Sequence, residues 1–584
     1  STATAESRAA AIDAGNGGSV DDVYNSGKLT ADSTARAAAA SVSVTNEGLA
    51  VSTDSVWDGG TNATAEARGI DVGAGGETLT NDGRIDALAD AETASASIAV
   101  SMKGVAGASS TSTSKADAIA IDASEGNDVD TVTNNGVLNA DATSLATAAS
   151  ISVVNKGLSI ASGAVWDGGT KSEAIARGID VGDGGDTIDN TGAVTASSLS
   201  AAAEAAVGVA VQGVAGAVAT STSEATAAAI HAGDDDDVAV DTVTNSGDLT
   251  AKARIRNKLF ENNVVNPVGG VSAAVSFSNQ GVAIAGGAVW DGGTKAIADA
   301  KGIEMGGGAD VVDNSGTIVV DSDSLVAELA ASVSLTGVAG ATATSTGESK
   351  ATAIHTGSDN AVDNVINSGD LTATSKAAAV TAAVSVTNAG LAVAGGAVWD
   401  GGTKGISEAR GIYVGEGADV IDNSGEITAE STGSAVEVAA AISVSGVAAA
   451  TATSTGQSLA TAIDASEGDD TDSVINSGDL HAKSTANAAA ASVTVTNAGL
   501  AVAAGAVWDG GTKATSAGRG IDVGAGEDNI NNSGAITAES DARAAELAVS
   551  VAVTGVAGAI ATSTAESTAV GIDAGEEEID DDTV

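Results

Sequence analysis

The stretch Gly163-Ala-Val-Trp-Asp-Gly-Gly-Thr170 decides the fold, because related copies of it return along the whole chain at a nearly fixed distance. The chain has 584 residues and five tryptophans, one in each copy of this stretch. Successive tryptophans are 109, 124, 109 and 109 residues apart. A fixed period is typical of repeat architectures, in which each unit buries its apolar face against its neighbour. We therefore predict one continuous solenoid over residues 1–584, with about five repeats. The tryptophans are Trp57, Trp166, Trp290, Trp399 and Trp508.

Each period divides into two related halves, marked by an isoleucine and a later Asn-x-Gly triplet. From Ile12 to Ile572, the distances between successive marker isoleucines alternate between 58 and 51 residues, with one exception of 73. Ten triplets accompany them, the first beginning at Asn25 and the last at Asn532. Asparagine and glycine tolerate left-handed backbone conformations, so we expect a sharp left-handed corner at each triplet.

The segments between these corners alternate small polar and apolar residues, as in Ala40-Ser-Val-Ser-Val-Thr-Asn46. This alternation predicts strands. With 75 glycines and 2% aromatic residues, the interior must be thin and filled by alanine and valine. Disorder is the alternative for such a composition, but the regular alternation and a mean hydropathy of +0.17 favour a folded chain. We predict an all-β repeat solenoid, specifically a right-handed parallel β-helix.

The residues per coil stay open at this stage. Three narrow coils in each half would give a rod of about 140 Å, and one broad coil in each half would give about 50 Å. Neither chain end resembles a capping repeat. We therefore expect either a piece of a longer protein or a unit that stacks end to end.

The charge balance excludes several classes of protein. There are 77 acidic and 24 basic residues, which give a formal net charge of −53. No basic field exists to attract nucleic acid, and no run of 18 apolar residues predicts a membrane span. The absence of cysteine excludes disulfides and thiolate metal sites. Strong self-repulsion favours a saline or calcium-containing medium, and we predict an extracellular location.

The segment Gly411-Ile-Tyr-Val-Gly-Glu-Gly-Ala-Asp-Val-Ile-Asp-Asn-Ser-Gly-Glu-Ile-Thr-Ala429 resembles the repeats of bacterial autotransporter passengers and related large surface adhesins. Similar segments cover about 20 residues of every half-repeat. The resemblance implies a parallel β-helix at the cell surface that serves adhesion or self-association.

Within the same region, Gly182-Asp-Gly-Gly-Asp-Thr-Ile188 resembles the Gly-x-Gly-x-Asp-x-Ile core of calcium-binding RTX repeats. This resemblance implies calcium as a cofactor, since calcium binds six to eight carboxylate and carbonyl oxygens. The motif appears once per 109 residues and not in tandem, so a merely solvated acidic edge is the alternative. The candidate ligands are Asp183, Asp186, Asp234, Asp235, Asp236, Asp237, Asp310, Asp419, Glu467, Asp469, Asp470 and Asp528.

The spacing exception comes mainly from an insertion at 252–268, which holds the only proline and the densest basic cluster. Insertions in repeat proteins project as loops from one face. The segment is either a neutral decoration or a docking arm for an acidic neighbour. Its candidate contact residues are Arg254, Arg256, Lys258 and Phe260.

The tryptophans and the basic residues before each Gly-Ile also recur with the period. We expect each tryptophan to fill a wider corner, with sugar stacking or contact between chains as the alternative. For Arg68, Arg177, Lys301, Arg410 and Arg519 we expect ion pairs between coils, useful mainly as a network.

No serine, histidine and aspartate recur together as a catalytic set, so we predict that the protein is not an enzyme. The predicted function is an extracellular structural or adhesive solenoid that stacks end to end into a filament or belongs to a long surface fibre. Its predicted partners are itself and the cell surface or extracellular matrix, without nucleic acid or membrane insertion. The alternative is a calcium-dependent surface-layer or matrix-binding module.

Overall fold

The computed structural model describes residues 2–15, 20–53, 60–162, 169–233, 238–256, 269–286, 293–395, 402–504 and 511–575. Every regular element in these ranges is a β-strand, and the strands form three parallel sheets. The predicted fold class, a right-handed parallel β-helix without helices, is therefore confirmed for the described part of the chain. Accordingly, no described segment is a helix long and apolar enough to cross a membrane.

The three sheets are named A, B and C, and each takes one strand from a coil, except that sheet C takes two from the coil with the insertion. Sheet A contains β1 (Thr4–Asp13), β4 (Thr61–Asp71), β7 (Ser112–Asp122), β10 (Thr170–Asp180), β13 (Ser221–His231), β17 (Thr294–Glu304), β20 (Ser345–His355), β23 (Thr403–Tyr413), β26 (Ser454–Asp464), β29 (Thr512–Asp522) and β32 (Ser563–Asp573). Sheet B contains β2 (Asp22–Asn25), β5 (Thr78–Asn81), β8 (Thr131–Asn134), β11 (Thr187–Asn190), β14 (Thr242–Asn245), β18 (Val311–Asn314), β21 (Asn364–Asn367), β24 (Val420–Asn423), β27 (Ser473–Asn476) and β30 (Asn529–Asn532). Sheet C contains β3 (Lys28–Thr53), β6 (Arg84–Ser109), β9 (Val137–Ser162), β12 (Ala193–Val218), β15 (Leu249–Ile255), β16 (Gly270–Gly286), β19 (Ile318–Thr342), β22 (Leu371–Gly395), β25 (Ile427–Thr451), β28 (Leu480–Ala504) and β31 (Ile536–Ile560).

Each half-repeat makes one broad coil, so the interpretation with three narrow coils is wrong. In nine of the ten coils, one strand of about 25 residues in sheet C takes up nearly half of the coil. The eleven strands of sheet A stack at about 4.8 Å, which gives a rod about 50 Å long. The register keeps equivalent residues together: Ile179, for example, pairs with Ile121 on one side and with Ile230 on the other.

The main core lies between the three sheets. It contains the isoleucine of each sheet A strand, one aliphatic residue from each sheet B strand and the first aliphatic residues of each sheet C strand. In one central coil these are Ile354, Val365 and Leu371, which have 0–1% of their surface exposed. Alanines fill the remaining space.

The second part of each sheet C strand leaves this core and folds back on itself, forming a two-layered projection that we call the flange. In β22 the flange comprises residues 381–395 and folds back at Gly390, where φ is 136°. Its interior is lined by alanine and serine. Serine hydroxyls join the two layers, as where Ser159 Oγ donates to the Ser152 carbonyl over 2.8 Å.

The Asn-x-Gly triplets do not form left-handed corners, so that expectation is wrong. No described residue other than glycine has a positive φ, and the triplet glycines do not have one either. Glycine is required there because the coils approach closely: a Cβ at Gly425 would lie 1.9 Å from the Gly369 carbonyl oxygen. The asparagine ends the sheet B strand and has a different role, described below.

The insertion interrupts one strand of sheet C. Residues 252–255 belong to β15, and β16 resumes the same position, so that both pair with β12 and β19. The inserted residues 257–268 lie outside the described residues, as do the five tryptophans. The prediction that each tryptophan fills a corner therefore remains a prediction.

Candidate functional site

The residue immediately before each sheet B strand is acidic in all ten coils. From the second coil onward these carboxyl groups are buried, with 0–3% of each residue exposed. We call this row the carboxyl ladder. Its members are Asp21, Glu77, Asp130, Asp186, Asp241, Asp310, Asp363, Asp419, Asp472 and Asp528.

Backbone hydrogen bonds hold the carboxyl ladder in register. The backbone N–H of each acid donates to a side-chain oxygen of the acid in the next coil, in eight successive steps of 2.7–2.9 Å. The N–H of Asp310, for instance, donates to Oδ1 of Asp363 over 2.9 Å. The second oxygens, Oδ2 of Asp310 and of Asp419, are buried without a hydrogen-bond partner among the described residues. The ladder is thus a file of carboxyl groups, one per coil, inside the rod.

Burial raises the pKa of most of these groups, because water no longer solvates the charged form. Neighbouring carboxylates about 4.8 Å apart would also repel one another by about 3–4 kcal/mol at an effective dielectric constant of 20. Part of the ladder therefore holds protons at neutral pH. The pKa is raised to about 9 for Asp310, to about 8 for Glu77 and Asp472, to about 7 for Asp419, and to about 6 for Asp130 and Asp363.

The structure separates the candidate calcium ligands into two groups. Asp186, Asp310, Asp419 and Asp528 belong to the carboxyl ladder. Asp183 is partly buried in the loop before β11, whereas Glu467, Asp469 and Asp470 lie in the loop before β27. Asp234, Asp235, Asp236 and Asp237 lie outside the described residues. Within the described ranges, no three acidic or histidine side chains form a group that could hold a metal ion.

Six ladder members were missed as candidates, although the sequence contains a signal for them. In every half-repeat an acid precedes the asparagine of the Asn-x-Gly triplet by four residues, as Asp363 precedes Asn367. This spacing places the acid immediately before a four-residue strand and the asparagine at the end of that strand. The RTX-like pattern occurs only in alternate half-repeats, so it did not indicate that the acid is present in all of them.

The triplet asparagines form a second buried file, the asparagine ladder. Each side-chain Nδ2 donates to Oδ1 of the asparagine in the next coil, in nine successive steps of 2.6–2.7 Å. In the central coils Nδ2 also donates to the carbonyl of the triplet glycine, as from Asn367 to Gly369 over 2.9 Å. Stacked amides therefore fix both the register and the start of the next strand.

Replacing Asn367 with alanine is expected to lower the free energy of unfolding by about 2–4 kcal/mol, because it removes two inter-coil hydrogen bonds and leaves buried partners unsatisfied. The measurement is thermal melting together with amide exchange in β21 and its neighbours. The control is Ser368→Ala, one residue further on and exposed, which should cost less than about 0.5 kcal/mol. Equal effects of the two substitutions would contradict a special role for the ladder.

The periodic basic residues form ion pairs on sheet A, both between and within coils. Arg68 contacts Asp117 and Asp122 of the next coil at 2.8 and 2.6 Å. Arg410 likewise contacts Asp464 at 2.8 Å. Arg177 instead contacts Asp180 in its own strand. The expected pairing between coils is thus present at some positions, and a local pair replaces it at others.

In four of the five repeats a buried or partly buried glutamate binds the threonine of the Gly-Gly-Thr segment. The threonine N–H donates to a glutamate Oε2 34 residues later, over 3.0–3.2 Å in four repeats. In the first repeat Ser95 occupies the glutamate position, and Thr61 Oγ1 there has no hydrogen-bond partner among the described residues. The glutamates are Glu204, Glu328, Glu437 and Glu546.

Replacing Glu437 with glutamine is expected to change stability at pH 7 by less than about 0.5 kcal/mol. Burial raises the pKa of Glu437 to about 8, so its carboxyl group is mostly neutral at pH 7 and glutamine keeps the acceptor. Glu437→Ala should cost about 1–3 kcal/mol, since the buried N–H of Thr403 loses its acceptor. Amide exchange at Thr403 measures the difference. Equal damage by both substitutions would show that the charge is required.

Two of the four candidate contact residues of the insertion already have partners. Arg254 contacts Asp321 at 2.7 Å, and Arg256 contacts Asp323, both on β19 of the next coil. These arginines therefore stabilise the coil beside the insertion. Lys258 and Phe260 lie outside the described residues.

Together, the fold and its internal files of carboxyl and amide groups define a β-solenoid with polar ladders inside the rod. Comparison with protein-family models, with curated proteins and with solved structures found no match. The class of protein is therefore defined by the fold alone.

Proposed function

We propose that this protein is an extracellular structural solenoid that forms part of a long surface fibre or stacks end to end into a filament. One observation carries the proposal: the three backbone ladders and the two buried side-chain ladders keep the same register from coil to coil. A function that depends on length fits such a molecule better than one that depends on a unique pocket. The proposal assigns the chain no catalytic activity.

The stacking mechanism follows from the coil itself. Each coil presents the same pattern of backbone N–H and C=O groups to the next, together with one carboxyl and one amide side chain. Stability in such a molecule is the sum of contributions from neighbouring coils. A coil from another copy, or further coils in a longer chain, can therefore continue the ladders without a new type of contact.

The resemblance to autotransporter passengers and large surface adhesins supports the proposed location and the proposed partners, namely other copies and the cell surface or matrix. The absence of cysteine and the net charge of −53 are in keeping with a saline exterior. Adhesion would use the outer faces of the sheets, which vary between coils more than the buried ladders do.

Electron microscopy of the purified protein tests the proposal. Particles should have constant width and lengths that increase with concentration in steps of about 50 Å, the length of one stack of coils. Discrete particles of about 50 Å at every concentration would contradict end-to-end stacking.

A calcium-dependent surface-layer or matrix-binding module is the second candidate. It is supported by the RTX-like loops and by the buried Oδ2 atoms of Asp310 and Asp419, which have no hydrogen-bond partner among the described residues. Against it stands the lack of any suitable group of three ligands in the described ranges.

Calcium at 1–5 mM should raise the melting temperature if this candidate is correct, because a ligand that binds only the folded state stabilises it. Magnesium at the same concentration is the control for simple charge screening. Identical melting with calcium, magnesium and chelator would contradict the calcium function.

A further inference from the structure

The outer layer of the flange presents a wide apolar face to solvent. In β22 the outer layer is residues 381–388. Its outward side chains are Ala382, Val384, Val386 and Asn388, and Val380 just before it continues the same face. The residues between them point into the flange, so the outward ones do not contribute to its interior. Even in central coils, where neighbouring strands cover part of each side chain, 44% of Val380 and 40% of Ile442 are exposed.

The parallel register turns these five positions into five columns that run through ten coils. At the position of Val386 the other nine coils carry seven valines, Phe277 and Ile442. The column of Val384 contains only valine, isoleucine and alanine. None of the 50 side chains in the five columns is charged, although the chain carries a net charge of −53.

The dimensions of this face match those of a stable protein interface. Ten strands at about 4.8 Å and nine residues at about 3.3 Å give an area on the order of 1,000 Å². A stable dimer buries about 800 Å² on each partner, whereas monomeric soluble proteins rarely expose contiguous apolar patches of more than a few hundred Å². An uncovered face of this size would be unusual.

We propose that two copies of this protein pack face to face through the outer layer of the flange. A second copy fits this face for two reasons. First, a flat surface with the same columns in every coil is complementary to itself, and two such sheets pack about 10 Å apart through interdigitating aliphatic side chains. Second, two molecules with the same large negative charge approach most easily through a face that carries no charge.

The outer surfaces of sheets A and B fit a second copy less well. The outer face of sheet A carries charged residues in most coils, for example Lys404, Glu408 and Arg410 in β23. The outer face of sheet B mixes Asp313 and Asp422 with Ile366 and Ile475. Lateral association through the flange is a contact separate from end-to-end stacking, and it doubles the width of the rod instead of its length.

Sedimentation velocity and light scattering in about 150 mM salt test the proposal. The wild-type protein at 10 µM should have twice the chain mass of 55.2 kDa. The double substitution Val386→Lys and Ile442→Lys places two charges in adjacent coils of one column. It should weaken the dimer at least 100-fold, while the circular dichroism spectrum stays unchanged because both side chains point outward.

The matched control is Ile366→Lys with Ile475→Lys, which adds the same charge at two exposed isoleucines of sheet B. This variant should remain dimeric. A wild-type protein that stays monomeric at 100 µM would overturn the proposal, as would equal dissociation of the two double variants. A wild-type monomer that binds uncharged lipid vesicles would likewise overturn it, since lipid would then be the occupant.

A crosslinking experiment gives an independent answer. Because the chain has no cysteine, Val386→Cys introduces a single thiol. A short bismaleimide should join Val386→Cys chains into covalent dimers and leave Ile366→Cys chains monomeric. The reverse result would overturn the proposal. Dimers with the length of a single chain would support packing through the flange even if end-to-end stacking is absent. The dimer and the filament are therefore tested separately.

Discussion

Replacing Gly390 with alanine is expected to lower the free energy of unfolding by about 3 kcal/mol or more. Gly390 has a φ of 136°, in a region that other residues rarely adopt. A Cβ there would lie 1.8 Å from the carbonyl oxygen of Gly337 in the preceding coil, so the backbone of one coil must move. Since every flange folds back at the equivalent glycine, the damage should extend to neighbouring coils.

Gly340→Ala is the matched control for this prediction. Gly340 lies in the same part of the preceding sheet C strand, but nothing lies within 4 Å of the position of its Cβ. Alanine there should be neutral or slightly stabilising, because it restricts the unfolded chain. Thermal melting and amide exchange in β22 measure both variants. Equal melting temperatures of the two variants would mean that the fold-back at Gly390 tolerates a side chain, which would contradict the close approach of the two coils.

The protein is also expected to melt about 5–10 °C higher at pH 5 than at pH 9. Six carboxyl groups of the ladder have a pKa raised by burial, and Asp310 has the highest, about 9. If the pKa of each of these six groups differs by only one unit between the folded and unfolded states, their combined contribution to the free energy of unfolding is about 8 kcal/mol. Circular dichroism melts between pH 3 and pH 10 provide the measurement.

The sign follows from proton linkage. In the unfolded chain these acids have a pKa near 4, so the folded state binds more protons than the unfolded state between about pH 4 and pH 9. Their stabilising contribution is complete below about pH 4 and is lost progressively as the pH rises from there to the folded-state pKa values of about 6 to 9. Asp86 acts in the opposite direction at low pH, because Arg84 lowers the pKa of Asp86 to about 2. Stability should therefore be greatest near pH 4–5.

The substitution Asp310→Asn tests whether the ladder causes this dependence. Asparagine still offers an oxygen to the N–H of Asp241 but cannot ionise, so the variant should be more stable than the wild type at pH 9 and nearly equal at pH 5. The control is Asp313→Asn on the exposed side of the same short strand, which should leave the pH dependence unchanged. A melting temperature that rises toward pH 9 would show that the ladder is ionised and balanced by bound cations.

The candidate site was only partly accessible to prediction. The RTX-like pattern led to Asp186, Asp310, Asp419 and Asp528, which are members of the carboxyl ladder. It did not lead to Asp363 or Asp472, because their loops lack the glycines of the motif. The glutamate that binds the threonine of the Gly-Gly-Thr segment in four repeats was also missed. Glu437 lies in an alternating strand like many others, and only its distance from Thr403 distinguishes it.

Periodicity and alternation were enough to establish an all-β stack of coils, because spacing and side-chain pattern are properties of a single chain read in order. The coil size and the role of the Asn-x-Gly triplets depended on contacts between residues 50 or more positions apart, and the flange depended on contacts between the two halves of one strand. An alternating strand such as Leu371–Gly395 has the same pattern whether it runs straight or folds back at Gly390. Likewise, an asparagine that stacks on its equivalent 56 residues later cannot be distinguished within its own triplet from one that forms a turn. The repeat that opens with Gly-Ala-Val-Trp thus defined the unit, and packing of one unit on the next determined what its residues do.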